Sequence, residues 1–286
     1  MLETTATPPK FCCWGVELLG LILGMLAWAE PSTGEPSVVA EQLAMAERTI
    51  RDPQATVDAA AAAGHTAQVT YRSMVVDTEL QRAVLAVLPA DVRPVVDTNL
   101  AATTSIMGTV GRRRTQMPAW RIVEAAPADE LLLHYQAAED AFGVPWEVLA
   151  AIHLVETRMG RLRGVSTANA RGPMQFIPET WARFGEGDIE DNQDAIFAEA
   201  RHLKHHGAPE RVEQALWHYN PTDRYVRAVM GYATLMMEDP LAYRGYFGWQ
   251  VYYTTTHGYI HLPEGYNLSE PEPVAGWCAA EPTRCP

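Results

Sequence analysis

Apolar residues recur at helical spacing along most of the chain, and strict alternation is confined to short stretches. Residues 38–109 form a first helical region that is rich in Ala. Within it, the spacing predicts helices over residues 57–63, 70–88 and 90–106. This region contains no set of side chains that suggests chemistry.

A second helical region follows at residues 127–239. Its prolines, capping residues and glycines predict successive helices that span residues 127–143, 145–160, 191–207, 209–219 and 222–239. The turns between these helices are short, and little strand is expected. The whole pattern therefore predicts a mainly α fold.

One carboxylate interrupts an apolar stripe in the second of these helices. Leu149, Ile152 and Glu156 fall at positions i, i+3 and i+7, so Glu156 shares a helix face with expected core residues. Burial of an unpaired carboxylate raises its pKa and favours the protonated form, which a general acid needs. The alternative is a Glu that faces solvent, as most do.

Residues 241–286 differ from the helical regions in their density of aromatic side chains. The segments 249–256 and 259–262 predict a short hairpin, whose aromatic residues either cover the helical domain or stack on sugar rings. Cys278 and Cys285 predict a small disulfide loop if the protein is exported, and two free thiols are the alternative.

The start of the chain predicts an export signal. Residues 18–29 form an uncharged apolar run that is short for a membrane span, and Ala27-Trp28-Ala29 has the form of a signal-peptidase site. The alternative is an uncleaved anchor that uses residues 11–29 as a membrane tether, although Glu17 inside that span is unfavourable. Either way, the sequence predicts a protein of the cell envelope or the exterior.

Composition and charge narrow the class of protein further. The 286 residues are 48% hydrophobic and 20% charged, which is typical of a folded protein. The formal net charge of −13 argues against a nucleic-acid partner, because binding to phosphates needs a basic face. A neutral sugar polymer is compatible with this charge.

Three short motifs follow one another in the second helical region. They are Glu156-Thr157-Arg158, the Gly-x-Met-Gln turn that ends at Gln175, and Tyr219-Asn220. With Ser166 between the first two, they resemble the soluble lytic transglycosylases and the related goose-type lysozymes. The Glu-Thr-Arg-x-Gly form looks like the membrane-bound branch of these enzymes, and the longer chain looks like exported actinobacterial members.

The resemblance implies a lysozyme-like helical catalytic domain that acts on peptidoglycan glycan strands. The bond would be the β-1,4 link from N-acetylmuramic acid to N-acetylglucosamine, with Glu156 first as acid and then as base. The product would carry a 1,6-anhydro end. A muramidase that uses water and a noncatalytic glycan-binding module are the alternatives.

The resemblance also implies roles for the other motif residues. Ser166 and Gln175 would hydrogen-bond the glycan. Tyr219 would orient Glu156 or stabilise positive charge at the reacting carbon. Asn220 would shape the turn beneath the site. Met174 belongs to the substrate-binding set, although its main part is expected to be the placement of Gln175 from the core.

No cofactor or metal is expected. The acids Asp188, Glu190, Asp191 and Asp194 lack the spacing of a calcium loop, and they are typical of a capped helix start. The histidines His202, His205 and His206 lie in the last turn of a predicted helix, where imidazoles interact favourably with the helix dipole.

The sequence thus divides into six expected segments. They are a signal peptide or anchor at 1–29, a linker at 30–37, an N-terminal helical region at 38–110, a linker at 111–126, the catalytic domain at 127–240 and an aromatic-rich C-terminal extension at 241–286. The N-terminal helices would either pack on the catalytic domain or recruit other cell-wall enzymes.

Overall fold

The computed structural model describes residues 34–109 and 113–285, and this part of the chain is mainly helical, as predicted. The expected signal peptide or anchor and residues 30–33 of the expected linker lie outside the described residues. Four helices form the first region: α1 (Pro36–Arg51), α2 (Val57–Val76), α3 (Thr78–Val87) and α4 (Arg93–Met107). Because α1 begins at Pro36, the last two residues of the expected linker are helical.

Capping explains where these helices divide. Thr56 accepts a hydrogen bond from the backbone N–H of Ala59 and starts α2. The predicted helix over residues 70–88 is interrupted at Asp77, whose carboxylate accepts from the N–H groups of Glu79 and Leu80 and starts α3. The predicted break between residues 63 and 70 is wrong, since α2 is continuous from Val57 to Val76. The prediction instead carried the second helix through the Asp77 cap, because the apolar spacing continues there.

The second region contains six helices: the five that the sequence predicts, and one short helix between the second and the third of them for which no bounds were predicted. They are α5 (Ala128–Phe142), α6 (Trp146–Thr157), α7 (Pro178–Phe184), α8 (Asn192–His205), α9 (Val212–Tyr219) and α10 (Asp223–Glu238), and α11 (Ala242–Phe247) and α12 (Val274–Ala280) follow. Two bounds differ from expectation. Helix α6 ends at Thr157 rather than near Gly160, and α9 begins after Pro209, at Val212.

Three short antiparallel pairs complete the described fold. The predicted hairpin is confirmed, with β4 (Val251–Thr255) paired to β5 (Gly258–Leu262). The expected linker at 111–126 contains two further strands: β1 (Gln116–Met117) pairs with β6 (Glu272–Pro273), and β2 (Arg121–Ile122) pairs with β3 (Leu162–Arg163). The linker is therefore tied to the second region and to the C-terminal extension.

The N-terminal helices share one hydrophobic core with the second region. Helix α4 packs along α10, and α2 packs on α11. Buried residues from both regions, between Val39 and Trp249 in the sequence, belong to one hydrophobic cluster. A buried polar network crosses the same junction: the Tyr246 hydroxyl donates to Asn99 at 2.7 Å, and Asn99 and Tyr71 both donate to Glu47. Of the two alternatives for the N-terminal helices, packing on the second region is what the structure shows.

The C-terminal extension covers this core. Tyr243, Tyr246 and Trp249 are buried, as the covering interpretation predicts, while Tyr253 and Tyr259 in the hairpin are partly exposed. The expected disulfide between Cys278 and Cys285 is present. Among the described residues, no helix combines the length and the apolar character that a membrane span needs.

We predict that Gly64→Ala destabilises the protein, because α2 and α11 touch backbone to backbone at this point. A Cβ on Gly64 would lie 1.9 Å from the carbonyl oxygen of Gly245, so the helices would have to separate. Overpacking of this kind costs roughly 1–3 kcal/mol, measurable as a lower free energy of unfolding in urea.

Gly276→Ala in α12 is the matched control. A Cβ there meets no atom within 4 Å. Because Ala has a higher helix propensity than Gly, the free energy of unfolding should rise by up to about 1 kcal/mol. Equal unfolding midpoints for the two variants would show that the α2–α11 contact is looser than described.

Candidate active site

Glu156 lies in the last turn of α6, at the border of the core. Leu149 and Ile152 on the same stripe are fully buried, which confirms that this face of α6 points inward. Glu156 itself keeps part of its surface exposed. Burial desolvates its carboxyl group while part of the residue's surface remains exposed, which is compatible with a group that exchanges protons with a ligand.

The chain reverses direction directly after this carboxyl. Arg158 and Met159 adopt left-handed conformations with φ values of 55° and 59°, so α6 ends one residue after Glu156. The guanidinium of Arg158 folds back and donates to the carbonyl oxygens of Leu154 and Val155. The backbone N–H of Arg158 also donates to the Leu154 carbonyl, so Arg158 caps the end of α6 with both its backbone and its side chain.

The Gly-x-Met-Gln motif forms a tight turn beside the end of α6. Gly172 has a φ of 74°, and a Cβ at this position would lie 1.9 Å from the carbonyl oxygen of Ile189, so the turn requires glycine. Gln175 closes the turn with a φ of 49° and a backbone hydrogen bond to Gly172.

The carbonyls of this turn join the three motifs. The hydroxyl of Thr157 donates to the carbonyl of Pro173 at 2.6 Å, and the hydroxyl of Tyr219 donates to the carbonyl of Met174. All four polar groups lie at least partly inside the protein, where leaving either carbonyl unpaired would cost about 1–3 kcal/mol. These hydrogen bonds therefore connect the three motifs, which are separate in the sequence, in the folded protein.

Tyr225 in the first turn of α10, rather than Tyr219, holds the carboxyl of Glu156. Its hydroxyl donates to Oε1 of Glu156 at 2.9 Å. The expectation that Tyr219 orients Glu156 is therefore corrected, since its hydroxyl is used by the Met174 carbonyl, although its ring lies 5.7 Å from that of Tyr225. The sequence analysis missed Tyr225 because its position on the apolar side of α10 is equally typical of a core residue.

Burial raises the pKa of Glu156 to about 7. The hydrogen bond from Tyr225 opposes this rise by stabilising the carboxylate, the charge of Glu199 adds to it, and the charge of Arg158 opposes it. The upward direction agrees with the prediction from the apolar stripe. A carboxyl with this pKa can donate a proton near neutral pH and can take one back, so it can serve as acid and then as base.

Glu199 in α8 is a second buried carboxyl in this neighbourhood, and the sequence analysis missed it. It has no exposed surface, and neither of its oxygens has a hydrogen-bond partner among the described residues. Nδ1 of His202 lies 3.5 Å from Oε1 of Glu199. Burial raises the pKa of Glu199, whereas His202 lowers it. The charge of Glu199 in turn raises the pKa of Glu156.

The pattern that singled out Glu156 was also present around Glu199. Ile196 and Leu203 lie three residues before and four residues after it, and both are fully buried. An acid between two core positions of a helix was thus readable from the sequence. The sequence did not show that Glu199 lies near Glu156, 43 positions earlier, because that proximity depends on how α8 packs against α6.

Ser166 and Gln175 both lie in the segment that connects β3 to α7. The Ser166 oxygen accepts from the backbone N–H groups of Ala168 and Ala170, at 3.1 and 3.0 Å, which leaves its hydroxyl hydrogen free to donate. The side-chain amide of Gln175 donates to the Gly172 carbonyl at 2.9 Å, which leaves its oxygen able to accept. Both residues remain partly exposed.

Met174 and Asn220 have structural roles. Met174 has no exposed surface, so the expectation that it contacts a substrate directly is corrected to core packing. Asn220 ends α9, and its side-chain oxygen lies 3.3 Å from the hydroxyl of Thr222, which caps α10. Asn220 therefore shapes the turn that leads to Tyr225, as expected of it.

The acidic cluster before α8 serves as a helix start. The Asp191 carboxylate accepts from the N–H of Asp194, and the Asp194 carboxylate accepts from the N–H of Asp188. This confirms the capping interpretation. Within the described ranges, no group of three or more His, Cys, Asp or Glu residues has the arrangement of a metal site, and this includes the histidines at the end of α8.

Similarity to known proteins is limited to one part of the chain. No family model matches it, and no solved structure matches it. Over 100 residues, or 35% of the chain, it is 31% identical to the membrane-bound lytic murein transglycosylase F of Thiobacillus denitrificans. The matched stretch is 19% of that protein, so the chain spans about a fifth of the relative's length. This similarity supports a relationship to lytic transglycosylases in general.

Tyr225→Phe should raise the pKa of Glu156, because it removes the hydrogen bond that stabilises the carboxylate. We expect the alkaline limb of the pH profile of kcat/KM to move to higher pH, together with a fall in kcat as the carboxyl loses its orientation. Tyr219→Phe is the control. It removes a hydroxyl that does not touch Glu156, so it should leave the limb in place and lower stability by about 0.5–1.5 kcal/mol.

Glu199→Gln should move the same limb to lower pH. The negative charge of Glu199 raises the pKa of Glu156, and an amide of the same shape removes that charge. Glu213→Gln on α9 changes an exposed acid and serves as the control for net charge. A limb that stays in place in Glu199→Gln, with folding intact by thermal melting, would show that the two carboxyls titrate independently.

Proposed function

We propose that this protein is an exported peptidoglycan lytic transglycosylase with Glu156 as its catalytic residue. The observation that carries the proposal is the largely buried Glu156 carboxyl, with a pKa of about 7, held by Tyr225 at the junction of the three motifs. The resemblance of the motifs and the similarity to a lytic murein transglycosylase point to the same chemistry.

Cleavage would begin with a proton transfer. Protonated Glu156 donates to the glycosidic oxygen between N-acetylmuramic acid and N-acetylglucosamine, and the bond to the anomeric carbon breaks. The acetamido oxygen of the muramic acid assists by attack on that carbon, so no second carboxylate is needed as a nucleophile.

The second step would use the same residue as a base. Glu156, now a carboxylate, removes the proton from the 6-hydroxyl of the muramic acid. The 6-oxygen attacks the anomeric carbon, displaces the acetamido oxygen and closes a 1,6-anhydro ring. The proton returns to Glu156, and no water is consumed. The Tyr225 hydroxyl would stabilise the carboxylate between the two steps.

Ser166 and Gln175 are proposed to bind the glycan. The free hydroxyl hydrogen of Ser166 can donate to a sugar oxygen, and the free side-chain oxygen of Gln175 can accept from an amide or hydroxyl. Tyr219 and Asn220 would act through the loops that they hold, and Met174 through the core.

A muramidase is the second candidate, and Glu199 is the observation that brings it forward. An inverting hydrolase needs a second carboxylate that activates a water on the opposite face of the sugar. Glu199 is a second carboxyl near Glu156, but it has no exposed surface from which to contact such a water. This burial favours the transglycosylase.

The proposal extends to location and organisation. The relative is membrane-bound by name, and the predicted signal peptide or anchor at 1–29 would place this chain in the cell envelope. Residues 127–240 would form the catalytic unit. The N-terminal helices at 38–110 and the extension at 241–286 would support it. The helices and residues 241–249 share one core with the catalytic unit, and the remainder of the extension packs in a second cluster with Met117 and Ile122.

Glu156→Gln is expected to abolish release of muropeptides from purified peptidoglycan without loss of folding, because an amide cannot protonate the glycosidic oxygen. Wild-type products should carry 1,6-anhydro ends by mass spectrometry. The alkaline limb of the wild-type profile should lie near pH 7, since activity is lost as Glu156 loses its proton.

Glu147→Gln, in the first turn of the same helix, is the matched control and should retain activity. Reducing ends instead of anhydro ends would identify a muramidase. Full activity of folded Glu156→Gln would remove Glu156 from the mechanism, and binding of glycan without any cleavage by the wild type would indicate a glycan-binding module.

A further inference from the structure

Four of the nine histidines form one cluster where α7, α8 and α9 meet. The ring of His206 is at its centre and lies 4.7 Å from that of His202 and 5.0 Å from that of His205. The ring of His218, on α9, stacks on His206 at 4.3 Å with 22° between the planes. Three of the four imidazoles also contact the ring of Phe184, at the end of α7.

One contact of the cluster requires a neutral imidazole. Nη2 of Arg183, in the last turn of α7, lies 2.7 Å from Nε2 of His205. A guanidinium can only donate, so this nitrogen of His205 accepts and carries no proton. A proton added there breaks the contact between α7 and α8 and places two positive charges side by side.

The charges that face the cluster do little to offset a protonated imidazole. Among the described residues, His202 alone of the four has a carboxylate within 4 Å, that of the buried Glu199 at 3.5 Å. Arg183 contacts the cluster from α7, Lys204 adds a charge in the last turn of α8, and Arg211 folds over the turn that follows. The dipole of α8 favours a positive charge at this end, and Arg183 already supplies one.

His206 shows how the cluster depends on pH. Burial, and then the charges of the other three imidazoles and of Arg183, lower the pKa of His206 to about 4. In an unfolded chain the same group takes up its proton near a pH of about 6.5. Between these values the unfolded state binds more protons, so the stability contributed by the neutral cluster is complete above the higher value and is lost as the pH falls.

The cluster supports the turn that carries Gln175 from two sides. Helix α7 follows this turn in the chain and is held to α8 through His205. Helix α9 ends at Tyr219, whose hydroxyl binds the turn, and the stack of His206 on His218 joins α9 to α8. Both supports of the turn thus reach α8 through imidazoles that have to be neutral or close to like charges.

We propose that these four histidines are an acid-sensitive contact that couples the shape of the candidate glycan-binding turn to pH. In its neutral form the cluster holds α7 and α9 against α8. Protons that add to it in acid repel one another and Arg183, and α9 then opens locally from α8. The effect on cleavage rests on the proposed function: acid keeps Glu156 protonated, while the cluster limits activity there.

The test is backbone amide hydrogen exchange of the full wild-type chain, followed by mass spectrometry at about pH 7.5 and about pH 5 and corrected for the intrinsic rates. We expect the protection of residues 212–219, which form α9, to fall roughly three- to tenfold at the lower pH relative to that of α4. This is less than a fully buried imidazole would give, because solvent screens a partly exposed cluster.

The double variant His205→Gln/His206→Phe should keep the protection of α9 in acid. Gln offers Arg183 an oxygen that accepts, Phe offers His218 a ring, and neither side chain binds a proton. His257→Gln, which removes an exposed imidazole from the turn of the hairpin, is the matched control and should behave as the wild type does.

The pH profile of cleavage gives a second measurement. In the double variant the acid limb of kcat/KM should move to lower pH, while the alkaline limb, which reports Glu156, should stay in place. Histidines with a merely structural role would lower activity at every pH and leave both limbs where they are.

Two results would overturn the proposal: equal protection of α9 at the two pH values in the wild type, or an equal loss in acid in the folded double variant. If the double variant does not fold, His205→Gln and His206→Phe are measured singly, and each should lose less protection than the wild type. Failure to cleave peptidoglycan at any pH would overturn the proposed function and leave the exchange measurement unaffected.

Discussion

The structure around the candidate site depends on the environment of one ionisable group, the carboxyl of Glu156 in the last turn of α6. Burial on one side favours its protonated form, and the Tyr225 hydroxyl at 2.9 Å favours the carboxylate. The balance between these opposing effects places its pKa near 7. A fully exposed Glu would be ionised at that pH, and a fully enclosed one could not reach a ligand, so the half-buried position meets both requirements.

The surrounding elements keep that position fixed. Helix α6 must end immediately after Glu156, and Arg158 and Met159 end it with left-handed backbone conformations. The Gly172 turn must lie against that end, and its carbonyls accept from Thr157 and Tyr219. Each bond connects a different part of the chain, so the geometry at Glu156 depends on all of them together.

The first helical region and the C-terminal extension reach the site through α10. Helix α4 packs along α10, which carries Tyr225, and α11 of the extension contacts both α10 and α6. The segments outside the motifs therefore help to define the position of α10. A region without any recognisable motif can contribute to a site in this way.

The sequence alone determined the helical class, most helix starts, the C-terminal hairpin, the disulfide pair and Glu156 as the acid on a buried face. These features depend on local patterns: apolar spacing, caps, turns and cysteine placement. The sequence also predicted the helix cap at Asp191 correctly. It missed the cap at Asp77, because the apolar spacing continues on both sides of that residue.

The tertiary structure decided the contacts between distant segments. Tyr225 rather than Tyr219 bonds Glu156, Glu199 lies near Glu156 across 43 positions of sequence, and Arg183 bonds His205 across 22. A helical pattern shows which face of each helix is buried, but not which other helix it meets. The pairing of those faces follows from the packing of the whole core, and it is this pairing that sets the charge and the hydrogen bonds around the acid.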